Sequence, residues 1–134
     1  MRVSLGVVGA HLTGQPLNRE LTDRGARLVR AARTAPVYRL YALAGTWPRK
    51  PGLVRVDAAA GASVEIEVWE LCEAAFGRFV AAVPPPLAIG TLLLEDGTAV
   101  KGFLCEAHAA AGADDISRYG GWRAYLAGRE KRDG

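Results

Sequence analysis

Cysteine, histidine and lysine are all scarce in this chain of 134 residues. The two cysteines, Cys72 and Cys105, stand far apart, with neither Cys-x-x-Cys spacing nor a companion Cys/His set. That argues against the common zinc arrangements and against a disulfide framework, so no metal is expected and both thiols are expected to be buried. The three lysines, Lys50, Lys101 and Lys131, belong to a pool of 17 cations set against 14 anions, giving a net charge of +3 scattered along the whole chain. Nucleic-acid binding needs clustered cations that displace condensed counterions, and no such cluster is present. Long hydrophobic runs are also missing: none reaches the roughly 20 residues of a membrane helix. Residues 1–5 lead straight into a strand pattern with no signal-peptide architecture, so the expectation is a cytoplasmic protein with no membrane contact.

Half of the residues are apolar and 23% are charged, the balance of a folded domain. A chain of this length can bury roughly two thirds of the surface that its unfolded form exposes. No internal repeat interrupts it, so residues 1–127 read as a single domain and residues 128–134, all charge and glycine, as a tail that frays. Valine-rich residues 3–9 suit a buried strand. A loop follows at 10–15, then a short helix begun near Asn18 and ended by Gly25. Residues 27–33 and 37–43 read as strands about the bend at Thr34-Ala35-Pro36, and 53–56 as another. The Gly- and Pro-dense stretch 45–52 is a loop that carries Trp47, Arg49 and Lys50.

Residues 64–71 alternate Val64, Ile66, Val68 against Glu65, Glu67, Trp69, the pattern of a strand with two unlike faces. A helix over 74–82 presents Phe76, Phe79, Val80 and Val83, and Pro84-Pro85-Pro86 stops it. Asp96-Gly97 between the apolar runs 89–94 and 98–105 is the strongest hairpin cue in the chain. A weak alanine-rich helix after Glu106 and one or two helical turns at 122–127 complete the series. Strands in series, joined partly by hairpins and broken by a few short helices, predict an α+β fold with a mostly antiparallel, curved or barrel-like sheet.

The loop after the first strand, Gly9-Ala10-His11-Leu12 continued by Gly14-Gln15-Pro16-Leu17-Asn18, resembles the start of the allophanate hydrolase C-terminal domain. That domain is related to the gamma-glutamylcyclotransferase-like fold. Residues 21–27, Arg33-Thr34-Ala35-Pro36-Val37-Tyr38 with its continuation to Leu43, Glu67-Val68-Trp69-Glu70-Leu71, Lys101-Gly102-Phe103-Leu104-Cys105-Glu106 and Tyr119-Gly120-Gly121-Trp122-Arg123 extend the likeness over nearly the full length. The resemblance implies action on the product of an amidase, N-carboxycarbamate, which the domain would decarboxylate in urea degradation. It implies a small dianionic substrate, no cofactor and an amidase-domain partner, and it leaves self-association open. The glycine- and serine-rich segment of the Ser-Ser-Lys amidase is absent, so this chain is not that amidase. Cyclotransferases carry Tyr-Gly-Ser/Thr-Leu at the opening loop and a general acid/base glutamate further on. Here Gly9-Ala10-His11 replaces the tyrosine and residues 79–87 hold no carboxylate, which argues against cyclotransfer. The alternative from a different class is a non-catalytic module that stabilises or oligomerises an amidase.

Among the candidate residues, His11 sits where a strand turns into a helix and backbone N–H groups can converge on an anion. Imidazole titrates near neutrality, so a positioned histidine could donate the proton that eases cleavage of a carbamate C–N bond, and the resemblance points to a functional histidine here; a merely hydrogen-bonded loop histidine is the plainer alternative. The backbone of Gly9, Ala10 and Leu12 would form the anion cradle. Arg39 or Tyr41, which share one face of their strand, would orient the substrate. Arg49 and Lys50 could reach over a pocket mouth. Glu65 and Glu67 read as a solvated pair, Tyr38 as a core residue with a wet hydroxyl, the 119–123 segment as a pin for the C-terminus, and His108 as inert.

Overall fold

A computed structural model describes residues 1–133. Strand β1 (Arg2–Val7) is the middle of a five-stranded sheet. It pairs antiparallel with β5 (Glu65–Cys72) and parallel with β7 (Ala99–Cys105). Outside these lie β2 (Arg27–Arg33) on β5 and β6 (Leu87–Leu93) on β7, both antiparallel. Beyond their ends the two edge strands touch. Thr34 and Leu94 form a bridge, the Ala35 amide donates to Leu93 O at 2.9 Å, and the Glu95 amide donates to Arg33 O at 3.0 Å. The sheet therefore curls without closing into a barrel, because no continuous ladder joins β2 to β6. A second sheet holds β4 (Pro51–Arg55), β3 (Tyr38–Ala42) and the short β8 (Asp114–Asp115) in that order. The helices are α1 (Arg19–Thr22), α2 (Glu73–Ala81), α3 (Ala107–Ala110) and α4 (Trp122–Asp133).

The curl is possible because β1 and β7 meet at paired glycines, Gly6 and Gly102. A Cβ on Gly102 would stand 2.4 Å from Leu92 Cδ1 and 2.8 Å from Gly6 O, so the bare backbone is what lets Leu92 fill the inside of the curve. Leu5, Val7, Ile66, Leu92 and Tyr38, all without solvent exposure, pack there. The Tyr38 hydroxyl is not wet: it accepts the Leu93 amide at 2.8 Å and ties the second sheet to β6. The Asp-Gly hairpin forms as expected. Gly97 takes φ +89° and Asp96 Oδ1 accepts from both the amide and the hydroxyl of Thr98.

Three further expectations are corrected. Glu67 is buried rather than solvated, because Thr13 and residues 120–123 lie over that face of β5. Cys72 is exposed and Cys105 half-buried; the alternation that buries Leu71 turns its neighbour outward, while Cys105 packs against Gly52. Helix α4 continues past Ala127 to Asp133, and of the tail only Gly134 lies outside the described residues. Trp122 is buried, so the 119–123 segment does pin the C-terminal helix. No described helix is long and apolar enough to cross a membrane.

Candidate functional site

The chain leaves β1 and folds into a chain of tight turns. Leu12 donates to Gly9 O at 3.0 Å, Gln15 to Leu12 O at 2.9 Å, Leu17 to Ala10 O at 2.8 Å and Asn18 to Gln15 O at 3.1 Å. The Asn18 side chain adds a bond from Nδ2 to His11 O at 2.8 Å. Gly14 supplies the one left-handed residue, at φ +84°. Gly9 is needed for a different reason: a Cβ there would fall 2.2 Å from Pro51 Cδ, so only glycine lets the loop lie on the start of β4. These constraints present His11 inward, with 8% of its surface exposed.

The imidazole stacks on Phe103 with centroids 5.0 Å apart and meets Phe79 edge-on at 5.2 Å. Phe103 comes from β7 and Phe79 from α2. His11 Nε2 lies 2.7 Å from Glu20 Oε1 of α1. Burial is the largest influence on the ring and pushes its pKa below the ordinary 6.5; Glu20 opposes this, while the positive charges of Lys50 and Arg24 add to it. The ring is therefore neutral at neutral pH. Since a carboxylate can only accept, Nε2 carries the proton. Around this pair lies a cavity of about 250 Å³, walled by His11, Glu20, Arg24, Lys50, Phe79 and Phe103, with Trp47 at its border.

Because the native pKa is lowered, below about pH 6.5 the unfolded chain binds a proton at His11 that the native chain does not. The stability tied to a neutral His11 is thus full above the unfolded pKa and is lost as pH falls toward the native one. His11→Gln is expected to lose less melting temperature than the wild type between about pH 7.5 and about pH 5.5. Parallel losses in both proteins would show that the buried imidazole is not a source of acid sensitivity.

The expected residues divide. Gly9 and Ala10, with His11, border a separate recess of only about 10 Å³, room for about one water. Leu12 is wholly buried in the core, and its amide is already committed to Gly9 O. The cradle is therefore narrower than the four-residue run suggests. Arg39 and Tyr41 lie on β3 and line neither cavity around His11. Arg39 Nε instead donates to Asp115 Oδ2 at 2.8 Å and Nη1 to Ala60 O at 3.2 Å. Of the Pro-Gly loop cations, Lys50 does border the His11 cavity, and Arg49 borders another cleft. His108 is exposed on α3.

Sequence reasoning missed Glu20, Arg24 and the two phenylalanines as parts of one site. Glu20 and Arg24 are one helical turn apart, and Arg24 Nη1 donates to Glu20 O at 2.9 Å. That spacing was the available signal.

A second cluster holds the loop in place. Glu67 Oε1 accepts from the Thr13 amide at 2.8 Å, the Thr13 hydroxyl at 3.0 Å and Trp69 Nε1 at 3.2 Å. Arg123 Nη2 donates to Glu67 Oε2 at 3.0 Å and to Thr13 O at 2.8 Å, and Nη1 to Glu65 Oε1 at 2.9 Å. Burial alone would raise the Glu67 pKa, but the Thr13 amide, Arg123, the Trp69 indole and the Thr13 hydroxyl together hold it below the usual carboxylate value. The carboxylate is thus fixed as an anion beneath the residue two places after His11.

The curled, mostly antiparallel sheet with its short helices places the chain in the gamma-glutamylcyclotransferase-like fold class. A solved gamma-glutamyl cyclotransferase shares this fold at a TM-score of 0.58 and 13% identity, over 86% of this chain and 70% of its own. Within that class the chain belongs to the allophanate hydrolase C-terminal domain family, whose sequence model matches residues 3–127. It is 41% identical to the urea amidolyase of Saccharomyces cerevisiae over 98% of this chain and 7% of that protein. The allophanate hydrolase of Kluyveromyces lactis matches at a TM-score of 0.89 and 41% identity, over 94% of this chain and 21% of its own. A uropathogenic E. coli-specific protein matches at a TM-score of 0.87 and 35% identity, over 95% of this chain and 97% of its own. The chain thus spans a small fraction of the amidolyase and hydrolase, and nearly all of the E. coli protein.

Proposed function

We propose that this domain decarboxylates N-carboxycarbamate, a small dianion supplied by an amidase partner in the cytoplasm. The observation that carries the reading is the neutral, buried His11 hydrogen-bonded to Glu20 on the wall of a cavity bordered by two cations. In the reaction the substrate nitrogen accepts one proton and the C–N bond to one carboxylate breaks. Its electron pair goes to nitrogen, and carbon dioxide leaves with carbamate as the other product. Protonating the nitrogen as the bond breaks is general acid catalysis, and His11 would be the donor.

A neutral imidazole is a weak acid, and the substrate itself corrects this. Two negative charges entering a desolvated site favour the imidazolium strongly, so substrate and proton arrive together. The Glu20 side chain, 44% exposed and bonded to the buried ring, would return protons from solvent. Lys50 and Arg24 take the orienting role first expected of Arg39 or Tyr41. A cation on the departing carboxylate would oppose its loss as neutral carbon dioxide, so these side chains would hold the carboxylate that stays.

The experiment generates N-carboxycarbamate in place with a separate amidase and follows its decay with and without this chain. Faster decay with the chain supports the reading. Equal decay would overturn it and favour a module that acts only through contacts with an amidase.

A further inference from the structure

The walls of the cavity beside His11 are of two kinds. The charged wall holds Glu20, Arg24 and Lys50, and the Glu20 carboxylate is already engaged by His11 Nε2 at 2.7 Å. Among the described residues neither cation holds a carboxylate: Arg24 Nη1 donates to the Glu20 backbone carbonyl, and the Lys50 ammonium makes no hydrogen bond or ion pair. Two such cations against one engaged carboxylate select an anion. The other wall comes from a stretch without charge: Val83, Pro84 and Leu87, in the turn after α2, border the same cavity. Phe79 joins the two walls, because Arg24 Cζ lies 5.8 Å from its ring centroid, so whatever is attached to a carboxylate on Arg24 meets apolar surface next. Trp47 also borders the cavity and is 88% exposed, whereas Trp69 and Trp122 are 5% and 2% exposed. An indole left in water costs free energy that an apolar group beside it would recover. The space of about 250 Å³ approaches the range of about 300–1,000 Å³ found for pockets of drug-sized ligands, and the N-carboxycarbamate dianion offers its apolar wall nothing to bury.

We propose that this cavity also binds monocarboxylates that carry an apolar body of butyl to pentyl size, with the carboxylate on Lys50 and Arg24 and the body against Trp47, Val83 and Leu87. Guanidinium and ammonium give a carboxylate charge-assisted hydrogen bonds, and each methylene removed from water adds up to about fourfold in affinity. An alkyl cation of the same size would be repelled by Arg24 and Lys50, and the one carboxylate it would find is bonded to His11. These acids have no carboxylate on nitrogen and therefore no C–N bond for the proposed reaction to break, so they occupy the site as competitors of N-carboxycarbamate. The proposal rests on the reading of Lys50 and Arg24 as the groups that hold a carboxylate, and it does not depend on decarboxylation.

The test follows backbone amide and indole NMR resonances of the full chain, at constant ionic strength, while acetate, butyrate or hexanoate is added, with hexylamine as the control for charge. Affinity is expected to rise roughly two- to fourfold per methylene from acetate to hexanoate, and the Trp47 indole resonance to move with hexanoate but not with acetate. Lys50→Met should weaken all three acids about tenfold and leave their ratios alone. Trp47→Ala, at an exposed position, and Val83→Asn should each lower the hexanoate-to-acetate ratio about threefold or more. Equal affinity along the series, hexylamine binding as tightly as hexanoate, or an unchanged ratio in both Trp47→Ala and Val83→Asn would each overturn the proposal. Graded binding of the acids together with a failed decarboxylation assay would leave it standing, whereas decarboxylation with no gradation would overturn it and spare the proposed reaction.

Discussion

Exchanging His11 for glutamine is expected to slow the chain-dependent loss of N-carboxycarbamate about 10²–10⁴-fold, the usual contribution of a positioned general acid. Glutamine is close to histidine in reach, and its amide can still donate to the Glu20 carboxylate that His11 Nε2 meets at 2.7 Å. It can lie between Phe79 and Phe103 without a new charge. What it cannot do is give up a proton and take it back. The loss should therefore fall on turnover, with the substrate concentration at half-maximal rate little changed, because Lys50 and Arg24 remain in place. A variant that turns over at the wild-type rate would remove His11 from the chemistry while leaving the cavity as a binding site.

The second large effect is on stability. Glu67→Ala is expected to destabilise the domain by about 3 kcal/mol, equivalent to roughly 10 °C of melting temperature for a chain of this size. The substitution strands the Thr13 amide and the Trp69 indole N–H under the loop, and both lose their shared acceptor. It also leaves Arg123 without one of its two carboxylates. Arg123 is 36% exposed and keeps Glu65, which places the effect at the low end for a broken buried pair. The companion substitution Glu65→Ala, at the wetter end of the same fork, should cost less than about 1 kcal/mol. Thermal or urea unfolding of the two variants checks the ordering; equal losses would mean that the burial of Glu67 contributes nothing.

The strands were legible because each rests on local chemistry. Residues 27–33 emerge as β2 with those limits, and the Asp96-Gly97 turn needs only a glycine able to take positive φ. Alternation along 64–71 also gave β5 its inner face, since Val64, Ile66 and Val68 are all buried. It failed on the outer face for a physical reason. Whether a glutamate on that face meets water depends on what lies across it, and the covering residue, Arg123, is 56 positions away from Glu67. The same limit applies to the site. The position of His11 in a strand-to-helix loop was readable, and so was the presence of Lys50 on a Gly- and Pro-dense loop. Pairing of His11 with Glu20 depends on the turns of residues 9–18, and its burial depends on Phe79 and Phe103 arriving from α2 and β7.

By itself the sequence determined the order of strands and helices, the family pattern and the loop that carries His11, since periodicity, turn residues and the opening motif are local properties. The tertiary structure alone decided that His11 is a buried imidazole, its pKa lowered by desolvation, on a cavity with Lys50 and Arg24, and that Arg39 and Tyr41 stand elsewhere. The reason is that desolvation and charge act over a few ångströms of space, and residues far apart in the chain set both.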